Sequence, residues 1–409
     1  MVQNILEISE LRIIVIHCLR GDYNALLSAV LVNKTWAAEA MGILWEQVTA
    51  RDLVPIPPCR RQQYARHIKR LLFEFDEPIS VHVMLKGLEF PRLMSLLFRD
   101  AVYQTSYPAK GAEELSVVQY LQPNLRDFVY QVESPPENVL HLLETRCPQL
   151  QKVHLWCDYE PDRMISFLHH CTSLKSVRLS GNLEQPIDNG LLSCLACYNG
   201  LEFLQLMQIL SPDNVDKMFK VTTAPFRDLQ YLDIFIGSWT VPKLMDNMKR
   251  SMSGIRSLYL RMEEPLISPL PHVSLLSNLQ KLTISCTTER AEWDKESFVT
   301  LKNLTNLRVL QIYSSYRYTH YCPDLTDNDF ITIFKDMNKL VHLAFLVRCP
   351  LITTDSITSL GENCPRLAFC DVPGPFDLAV WENVATYPLF PELRELRLGQ
   401  AVDRGEGAV

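Results

Sequence analysis

The sequence predicts an α/β fold, in which a solenoid of stacked repeats has a parallel sheet on its inner face and follows a three-helix module. An apolar pattern recurs at a nearly constant interval, helix-like stretches fill the intervals, and the first residues follow helical instead of repeat spacing. We predict a helical module at residues 1–48, a linker at 49–66, the solenoid at 67–398 and a disordered tail at 399–409.

The repeated pattern is L-x-x-L-x-L, with other apolar residues replacing some leucines, and its starts lie about 24 to 33 residues apart. The last two apolar positions alternate with other residues, as in a short strand with one buried face. One such unit cannot enclose a core, whereas stacked units share one. The strong copies start at Leu150, Leu174, Leu201, Leu229, Ile255, Leu279, Leu307, Leu340, Leu367 and Leu393, and weaker copies at Ile68, Leu93 and Leu125.

Composition and charge make several classes of function improbable. The net charge is -7 and no run of lysine and arginine is present, so a phosphate-binding groove for nucleic acid is disfavoured. No apolar stretch approaches the ~20 residues that span a bilayer, and Glu7 and Glu10 oppose a signal peptide. The 12 scattered cysteines fit a reducing compartment. We therefore expect a cytoplasmic or nuclear protein that binds neither nucleic acid nor membrane.

Two stretches carry a resemblance to a known repeat family. The segment from Cys349-Pro350-Leu351 through Asp355 to Cys364-Pro365-Arg366-Leu367 resembles the cysteine-containing class of leucine-rich repeat, in which C-P-x-L opens the strand. Cys147-Pro148-Gln149-Leu150 repeats this signature, while the asparagine that the family places after the strand is clear only at Asn182. The resemblance implies a curved solenoid whose strands line a concave face.

The first residues read as three short helices. We expect Asp22 to cap the second helix and Thr35 to cap the third. The first helix is apolar on most of its circumference and must be buried on more than one side, which a module of fewer than about fifty residues cannot achieve alone. Part of its surface therefore needs the repeats or another protein. Its apolar residues are Leu11, Ile13, Ile14, Val15, Ile16, Cys18 and Leu19.

This module resembles an F-box. Residues Ile8 to Val15 resemble the opening helix, with Ser9 in place of the usual proline, and Val32-Asn33-Lys34-Thr35-Trp36 resembles the V-x-K-x-W core. Leu44-Trp45 resembles the closing pair. The resemblance implies that the module binds a Skp-family adaptor on a cullin scaffold and that the repeats bind a protein substrate of the ubiquitin ligase. The predicted adaptor-binding residues, for which packing within the module is the alternative, are Ile8, Leu11, Ile14, Val15, Val30, Val32 and Trp36.

Side chains that alternate with the buried leucines should point to the concave face. Aromatic and arginine residues most often anchor interfaces, although any curved sheet exposes some large side chains. A tyrosine-rich insertion from Tyr313 to Tyr321 is either a recognition loop or a cover over the end of the sheet. The predicted substrate-binding residues are Trp156, Phe203, Tyr231, Phe235, Tyr259, Arg261 and Tyr313.

The sequence favours a binding protein over an enzyme. No nucleophile elbow, Walker loop, dinucleotide-binding turn or zinc-protease motif is present, so we predict no cofactor and no metal. Cys194-x-x-Cys197 has no second pair and is interpreted as packing. Two alternatives stay open: a leucine-rich-repeat scaffold outside any ligase, whose N-terminal helices only cap the solenoid, and an F-box protein that binds the adaptor without the cullin.

Overall fold

The structure is a computed structural model that describes residues 8–74, 79–99, 117–131, 138–156, 160–181, 187, 189–263, 268–288, 291–314, 320–374, 376 and 389–399. The chain divides into two compact units, Met1–Gly181 and Asn182–Val409. Asn182, the loop residues 315–319 and the tail beyond Gly399 lie outside the described residues. Among the helices of the described part, none is long and apolar enough to span a bilayer.

The first unit begins with the three predicted helices, α1 (Ser9–Cys18), α2 (Tyr23–Val30) and α3 (Lys34–Leu44). Asp22 caps α2 as predicted, since its side chain accepts a hydrogen bond from the Ala25 N–H. The prediction that Thr35 caps α3 is wrong. Asn33 holds that position, and its side-chain oxygen accepts hydrogen bonds from the N–H groups of Thr35 and Trp36, both at 3.0 Å.

The strands of the first unit form a parallel sheet in chain order, and each strand pairs with the next. Helices alternate with several of these strands and pack behind the sheet. The strands are β1 (Gln47–Thr49), β2 (Arg70–Phe73), β3 (Ser95–Arg99), β4 (Asp127–Gln131), β5 (Lys152–Trp156) and β6 (Ser176–Ser180), and the helices are α4 (Pro58–Ala65), α5 (Ile79–Leu85), α6 (Val139–Arg146) and α7 (Pro161–His170).

The strands of the second unit form a parallel sheet in the order β7-β8-β9-β10-β12-β14-β16-β17, and three two-residue strands form a small separate sheet, β11-β13-β15. The main strands are β7 (Phe203–Leu210), β8 (Tyr231–Ile236), β9 (Ser257–Met262), β10 (Lys281–Cys286), β12 (Val309–Ser314), β14 (His342–Phe345), β16 (Phe369–Pro373) and β17 (Glu395–Gly399). The short ones are β11 (Ala291–Glu292), β13 (His320–Tyr321) and β15 (Val347–Arg348).

Helices occupy the intervals between the strands of the second unit. Polar caps and prolines fix where they begin: Ser211 and Asn214 form a capping box at the start of α9, with Pro212 at its first position. The helices are α8 (Asn189–Cys197), α9 (Pro212–Lys220), α10 (Val241–Ser251), α11 (Leu270–Val273), α12 (Lys295–Val299), α13 (Asp327–Phe334) and α14 (Thr354–Asn363).

Every repeat start that the sequence predicted is followed by a strand in the structure. Each predicted start precedes a strand by two residues, and equivalent leucines of neighbouring repeats pair in register, as Leu258, Leu282 and Leu310 do. These leucines are fully buried, so successive repeats share one apolar core. The predicted fold class is confirmed: the chain has the α/β architecture of a leucine-rich-repeat solenoid with a parallel inner sheet.

The segment predicted to be a linker, residues 49–66, contains secondary structure. It holds the end of β1, a 3-10 helix (Ala50–Leu53) and α4. Arg61 lies in this segment and is only 8% exposed. Its guanidinium donates to the backbone carbonyls of Ile56 at 2.9 Å, Val54 at 3.0 Å and Met84 at 3.1 Å. The arginine therefore ties this segment to α5.

Candidate functional site

The three N-terminal helices enclose a small core. It is built from Ile16, Leu26, Ala29 and Ala40, all of which are buried. The partly buried residues Leu19, Val30, Trp36, Ile43 and Leu44 pack against it. Of the apolar residues that α1 carries on several sides, only Ile16 is buried in this core.

Most of the remaining apolar residues of these helices face solvent. Ile14 is 58% exposed, Val32 58% and Leu31 86%. Several large apolar side chains exposed in one part of a folded protein commonly mark an interaction site. We call this surface the N-terminal apolar surface and define it as Ile8, Leu11, Ile14, Val15, Leu31 and Val32.

The predicted adaptor-binding residues divide into two groups. Ile8, Leu11, Ile14, Val15 and Val32 are exposed on the N-terminal apolar surface. Val30 and Trp36 are half-buried against the core of the helices, as the packing alternative requires. The sequence interpretation omitted Leu31, although its position beside Val32, just after α2 ends, is a signal that could have identified it.

The candidate binding face of the second unit is the open face of its sheet, meaning the side chains that alternate with the buried leucines. Phe203 of β7 and Tyr231 of β8 pair in register and stack with their ring centroids 4.1 Å apart. Phe235, also predicted for this face, is only 8% exposed. It lies where the β7–β8 register shifts between Leu206 and Ile209, and it offers little surface.

An ion pair organises the centre of this face. Asp233 of β8 is nearly buried, and its carboxylate accepts hydrogen bonds from Arg261 Nε at 2.9 Å and Arg261 Nη2 at 3.0 Å. The side-chain amide of Gln205 donates to the same carboxylate at 2.8 Å. These three donors satisfy the buried charge, and the fork geometry fixes the guanidinium plane of Arg261. Burial lowers the pKa of Arg261, but the hydrogen bonds and the charge of Asp233 together outweigh it, so the pKa of Arg261 is raised.

Two tyrosines meet beside this ion pair. The hydroxyl oxygens of Tyr259 on β9 and Tyr313 on β12 lie 2.6 Å apart, and the Cζ atom of Arg261 lies 4.5 Å from the centroid of the Tyr259 ring. Burial and the hydrogen bond to Tyr259 raise the pKa of Tyr313, so its hydroxyl stays protonated at neutral pH. Three predicted residues, Tyr259, Arg261 and Tyr313, thus form one cluster.

A second polar chain crosses the later strands. Thr283 donates to the side chain of Gln311 at 3.1 Å, and Gln311 Nε2 lies 2.9 Å from Nε2 of His342. The ring of His342 stacks on Phe369 at 4.3 Å between centroids. Burial and then the charge of Lys281 lower the pKa of His342. This chain supplies hydrogen-bonding groups that are held in place by their neighbours.

The last predicted binding residue belongs to the first unit. Trp156 is half-buried at the end of β5, and Lys152 and His154 precede it on the same face of that strand. His154 pairs in register with Arg178 of β6. The face of this unit is thus basic and aromatic around β5.

The described residues contain no cluster of three His, Cys, Asp or Glu side chains that could hold a metal ion. Cys194 is half-buried and Cys197 exposed at the end of α8. His170 bonds within its own helix, because its Nδ1 donates to the carbonyl oxygen of Ser166 at 2.8 Å.

The sequence matches no protein-family model and no curated protein sequence. Its structure is similar to an internalin from Listeria monocytogenes, with 13% identity, 82% of this chain and 88% of the internalin covered, and a TM-score of 0.41. It is also similar to the leucine-rich-repeat-containing protein LegL7 from Legionella pneumophila, with 13% identity, 66% of this chain and 89% of LegL7 covered, and a TM-score of 0.37. A third similar structure is a leucine-rich-repeat protein from Leptospira interrogans, with 13% identity, 83% of this chain and 86% of that protein covered, and a TM-score of 0.38. The fold itself rests on the strand registers described above.

Proposed function

We propose that this chain is the substrate-recognition subunit of an SCF-type ubiquitin ligase. In this proposal the N-terminal helices bind a Skp-family adaptor that is attached to a cullin scaffold. The open face of the repeats binds the protein to be ubiquitinated, and the chain contributes proximity instead of covalent chemistry. Such a protein acts in the cytoplasm or the nucleus.

The observation that carries the proposal is the N-terminal apolar surface. Its six aliphatic side chains are exposed at the start of α1, along α1 and just after α2, while the core of the three helices already holds Ile16, Leu26 and Ala29. Burying one such side chain in a partner contributes about 1.5–3 kcal/mol. A partner that covers several of them would gain enough to offset the cost of association.

The F-box-like motif agrees with this geometry. In the segment Val32 to Trp36, Asn33 caps α3, so Val32 stays outside the helix and exposed while Trp36 turns toward the core. Ser9 is the first residue of α1, the helix position at which proline is most favoured. Serine in place of the usual proline is therefore compatible with the same helix start.

The adaptor itself provides the test. We expect the purified full chain to bind a purified Skp-family adaptor in an isothermal titration, and the double variant Leu11→Asp, Ile14→Asp to lose this binding because two charges enter the apolar contact. The matched control is Val83→Asp, since Val83 is 64% exposed but lies on α5 and not on the N-terminal apolar surface. Circular dichroism verifies that each variant is folded. Binding that survives the double variant, or no binding by the unmodified chain, contradicts the proposal.

One observation favours the competing interpretation, in which the helices only cap the solenoid of a non-ligase interaction scaffold. Strand β1 begins at Gln47, directly after α3, and pairs with β2. Terminal repeats need such a cap. A scaffold of this kind would bind neither adaptor nor cullin, and an F-box protein acting outside a ligase would bind the adaptor while failing to recruit the cullin. Adding a cullin to the adaptor titration separates these cases.

A further inference from the structure

Small residues on β10 let the two tyrosines of the open face meet. Thr283 and Ser285 face outward from β10, and each is only 2% exposed. Because β10 lies between β9 and β12, Tyr259 and Tyr313 must extend over it from either side for their hydroxyl groups to touch. The two rings form an aromatic platform across β10, and this platform is what covers the small residues.

One edge of the Arg261 guanidinium remains open beside this platform. The bonds to Asp233 use Nε and one N–H of Nη2. The opposite edge, formed by Nη1 and the second N–H of Nη2, has no acceptor among the described residues. The Arg261 side chain is 26% exposed, and since its other edge is bonded to the nearly buried Asp233, we infer that the exposed part includes this free edge. Two parallel N–H groups at a fixed spacing match the two oxygens of a carboxylate.

Hydrogen-bond donors outnumber acceptors in this cluster. The oxygens of Asp233 already receive three hydrogen bonds. The Tyr259 and Tyr313 hydroxyl groups share one hydrogen bond, and the Ser285 hydroxyl donates to Tyr313. One of the two tyrosine protons is therefore left for an incoming oxygen, together with the open edge of Arg261. A ligand group that only accepts hydrogen bonds fits this arrangement best.

The local charge points the same way. The outward-facing positions of β8, β9, β10 and β12 carry one acid, Asp233, and two bases, Arg261 and Lys281. This part of the face is therefore positive by one charge in a chain whose net charge is -7. An anionic group on a partner would be attracted to it.

We propose that Tyr259, Arg261 and Tyr313 form a carboxylate subsite that binds an aspartate or glutamate side chain of the partner protein. The carboxylate accepts two hydrogen bonds from the open edge of Arg261 and one from the tyrosine pair, and its methylene groups lie on the aromatic platform. A side chain is the fitting source because the subsite lies within a broad sheet face, where a continuous partner surface reaches it without a chain end. This inference rests on the part of the proposed function that has the open face bind a protein. It does not depend on a role in ubiquitin transfer.

A small probe tests the subsite before any partner is known. The full chain, isotope-labelled at its arginine side chains, is titrated with N-acetylglutamate N-methylamide, and the guanidinium resonance of Arg261 is followed by NMR. Its assignment comes from its disappearance in Arg261→Lys. We expect this resonance to shift in a saturable manner, while the neutral N-acetylglutamine N-methylamide leaves it unchanged. A second titration uses N-acetylglycine, whose only carboxylate is terminal, to distinguish a side-chain carboxylate from the carboxylate of a chain end.

Variants make the prediction specific, with the glutamate probe's own resonances reporting binding. Arg261→Lys keeps the charge and loses the fork, and we expect binding to weaken about tenfold or more. Tyr313→Phe removes one hydroxyl and should weaken binding less. Arg256→Lys, an exposed arginine just before β9, is the matched control and should bind as the unmodified chain does.

Several outcomes overturn the subsite: no shift at Arg261, an equal shift with the glutamine probe, or unchanged binding by Arg261→Lys. Tighter binding of N-acetylglycine overturns the assignment to a side chain. The adaptor titration on Arg261→Lys keeps the two proposals apart, since the N-terminal helices should bind the adaptor normally in this variant. If the subsite binds its probe while no adaptor binds, the ligase role fails and the subsite stands.

Discussion

The carboxylate of Asp327 accepts hydrogen bonds from both the backbone N–H of Thr353, at 2.7 Å, and its hydroxyl, at 2.9 Å. Asp327 is the first residue of α13 and Thr353 is the N-cap of α14, so one carboxylate joins the starts of two successive helices. The hydroxyl of Ser356, which is fully buried, donates to the same carboxylate at 2.5 Å. Neighbouring repeats are thus joined by polar contacts as well as by their shared core.

We expect Asp327→Ala to lower the free energy of unfolding by about 2–3 kcal/mol, because it leaves the buried Ser356 hydroxyl and the Thr353 N–H without their acceptor. Denaturant titration followed by circular dichroism measures the change. Asp355→Ala is the matched control, since Asp355 is an exposed carboxylate in the first turn of α14. Equal loss in both variants would show that the charge at the helix start matters and the inter-repeat contact does not.

Gly361 of α14 should not tolerate a methyl group. A Cβ atom there would lie 2.9 Å from the carbonyl oxygen of Leu389 and 3.1 Å from the Phe390 ring. We expect Gly361→Ala to destabilise the protein by about 1–3 kcal/mol, despite the better helix propensity of alanine. Gly42→Ala in α3 is the control, because the nearest atom to its Cβ would be 3.7 Å away. The control should gain about 0.5–1 kcal/mol, and a thermal unfolding series that ranks the variants in the opposite order refutes the close-approach argument.

Arg61 should be far more sensitive to substitution than its neighbour Arg60. Arg61→Lys leaves at least two of the three backbone carbonyls that it bonds without a donor, and we expect a loss of about 2–3 kcal/mol in unfolding free energy. Arg60 is exposed, and Arg60→Lys should have no effect beyond about 0.5 kcal/mol. Comparable denaturation midpoints for both variants would show that the buried guanidinium does not hold the segment.

Stability should fall between neutral and acidic pH because of His82. Its ring stacks on Phe73 with centroids 4.6 Å apart, and burial lowers the pKa of His82 to about 4. The unfolded chain, with a histidine pKa of about 6.5, binds more protons than the folded chain in this window. Stability is therefore full above pH ~6.5 and declines as pH approaches 4, by about 3 kcal/mol from this residue.

The measurement for His82 is unfolding free energy against pH for the unmodified chain and for His82→Gln. The variant should have a flatter profile between about pH 6.5 and 4. His17→Gln, which changes an exposed histidine in α1, should keep the original slope. A slope that is the same in all three proteins would assign the acid sensitivity to other groups.

The repeat spacing predicted the strands because one rule, burial of alternate residues, governs every copy. The first strand escaped it, although Trp45, Val48 and Ala50 have the same spacing, because Trp45 and Val48 had been assigned to the helical module and Ala50 to the linker. Arg61 shows a different limit. Its hydrogen bonds to Val54, Ile56 and Met84 depend on the path of the backbone, which residue types do not encode.

The sequence predicted which residues belong to the candidate site, but it did not predict the contacts between them. Tyr259, Arg261 and Tyr313 were selected because they alternate with buried leucines. The meeting of the two tyrosines depends on Thr283 and Ser285 being small on the strand between them, a relationship that needs the register of three strands. On the helices, the sequence indicated that the module alone could not cover all of α1, and Leu11, Ile14 and Val15 are exposed while Ile16 enters the core with α2 and α3.

The junction after α3 determines how the helices are oriented relative to the first repeats. The carbonyl of Glu46 accepts hydrogen bonds from the N–H groups of Lys69 at 3.0 Å and Arg70 at 2.9 Å, and its carboxylate pairs with Arg20. These contacts connect the end of the helical segment to the start of β2. A partner bound to the helices would therefore hold the first repeats in a defined orientation, and the distance from that partner to a protein bound on the repeats would depend on this junction and on the size of the bound protein.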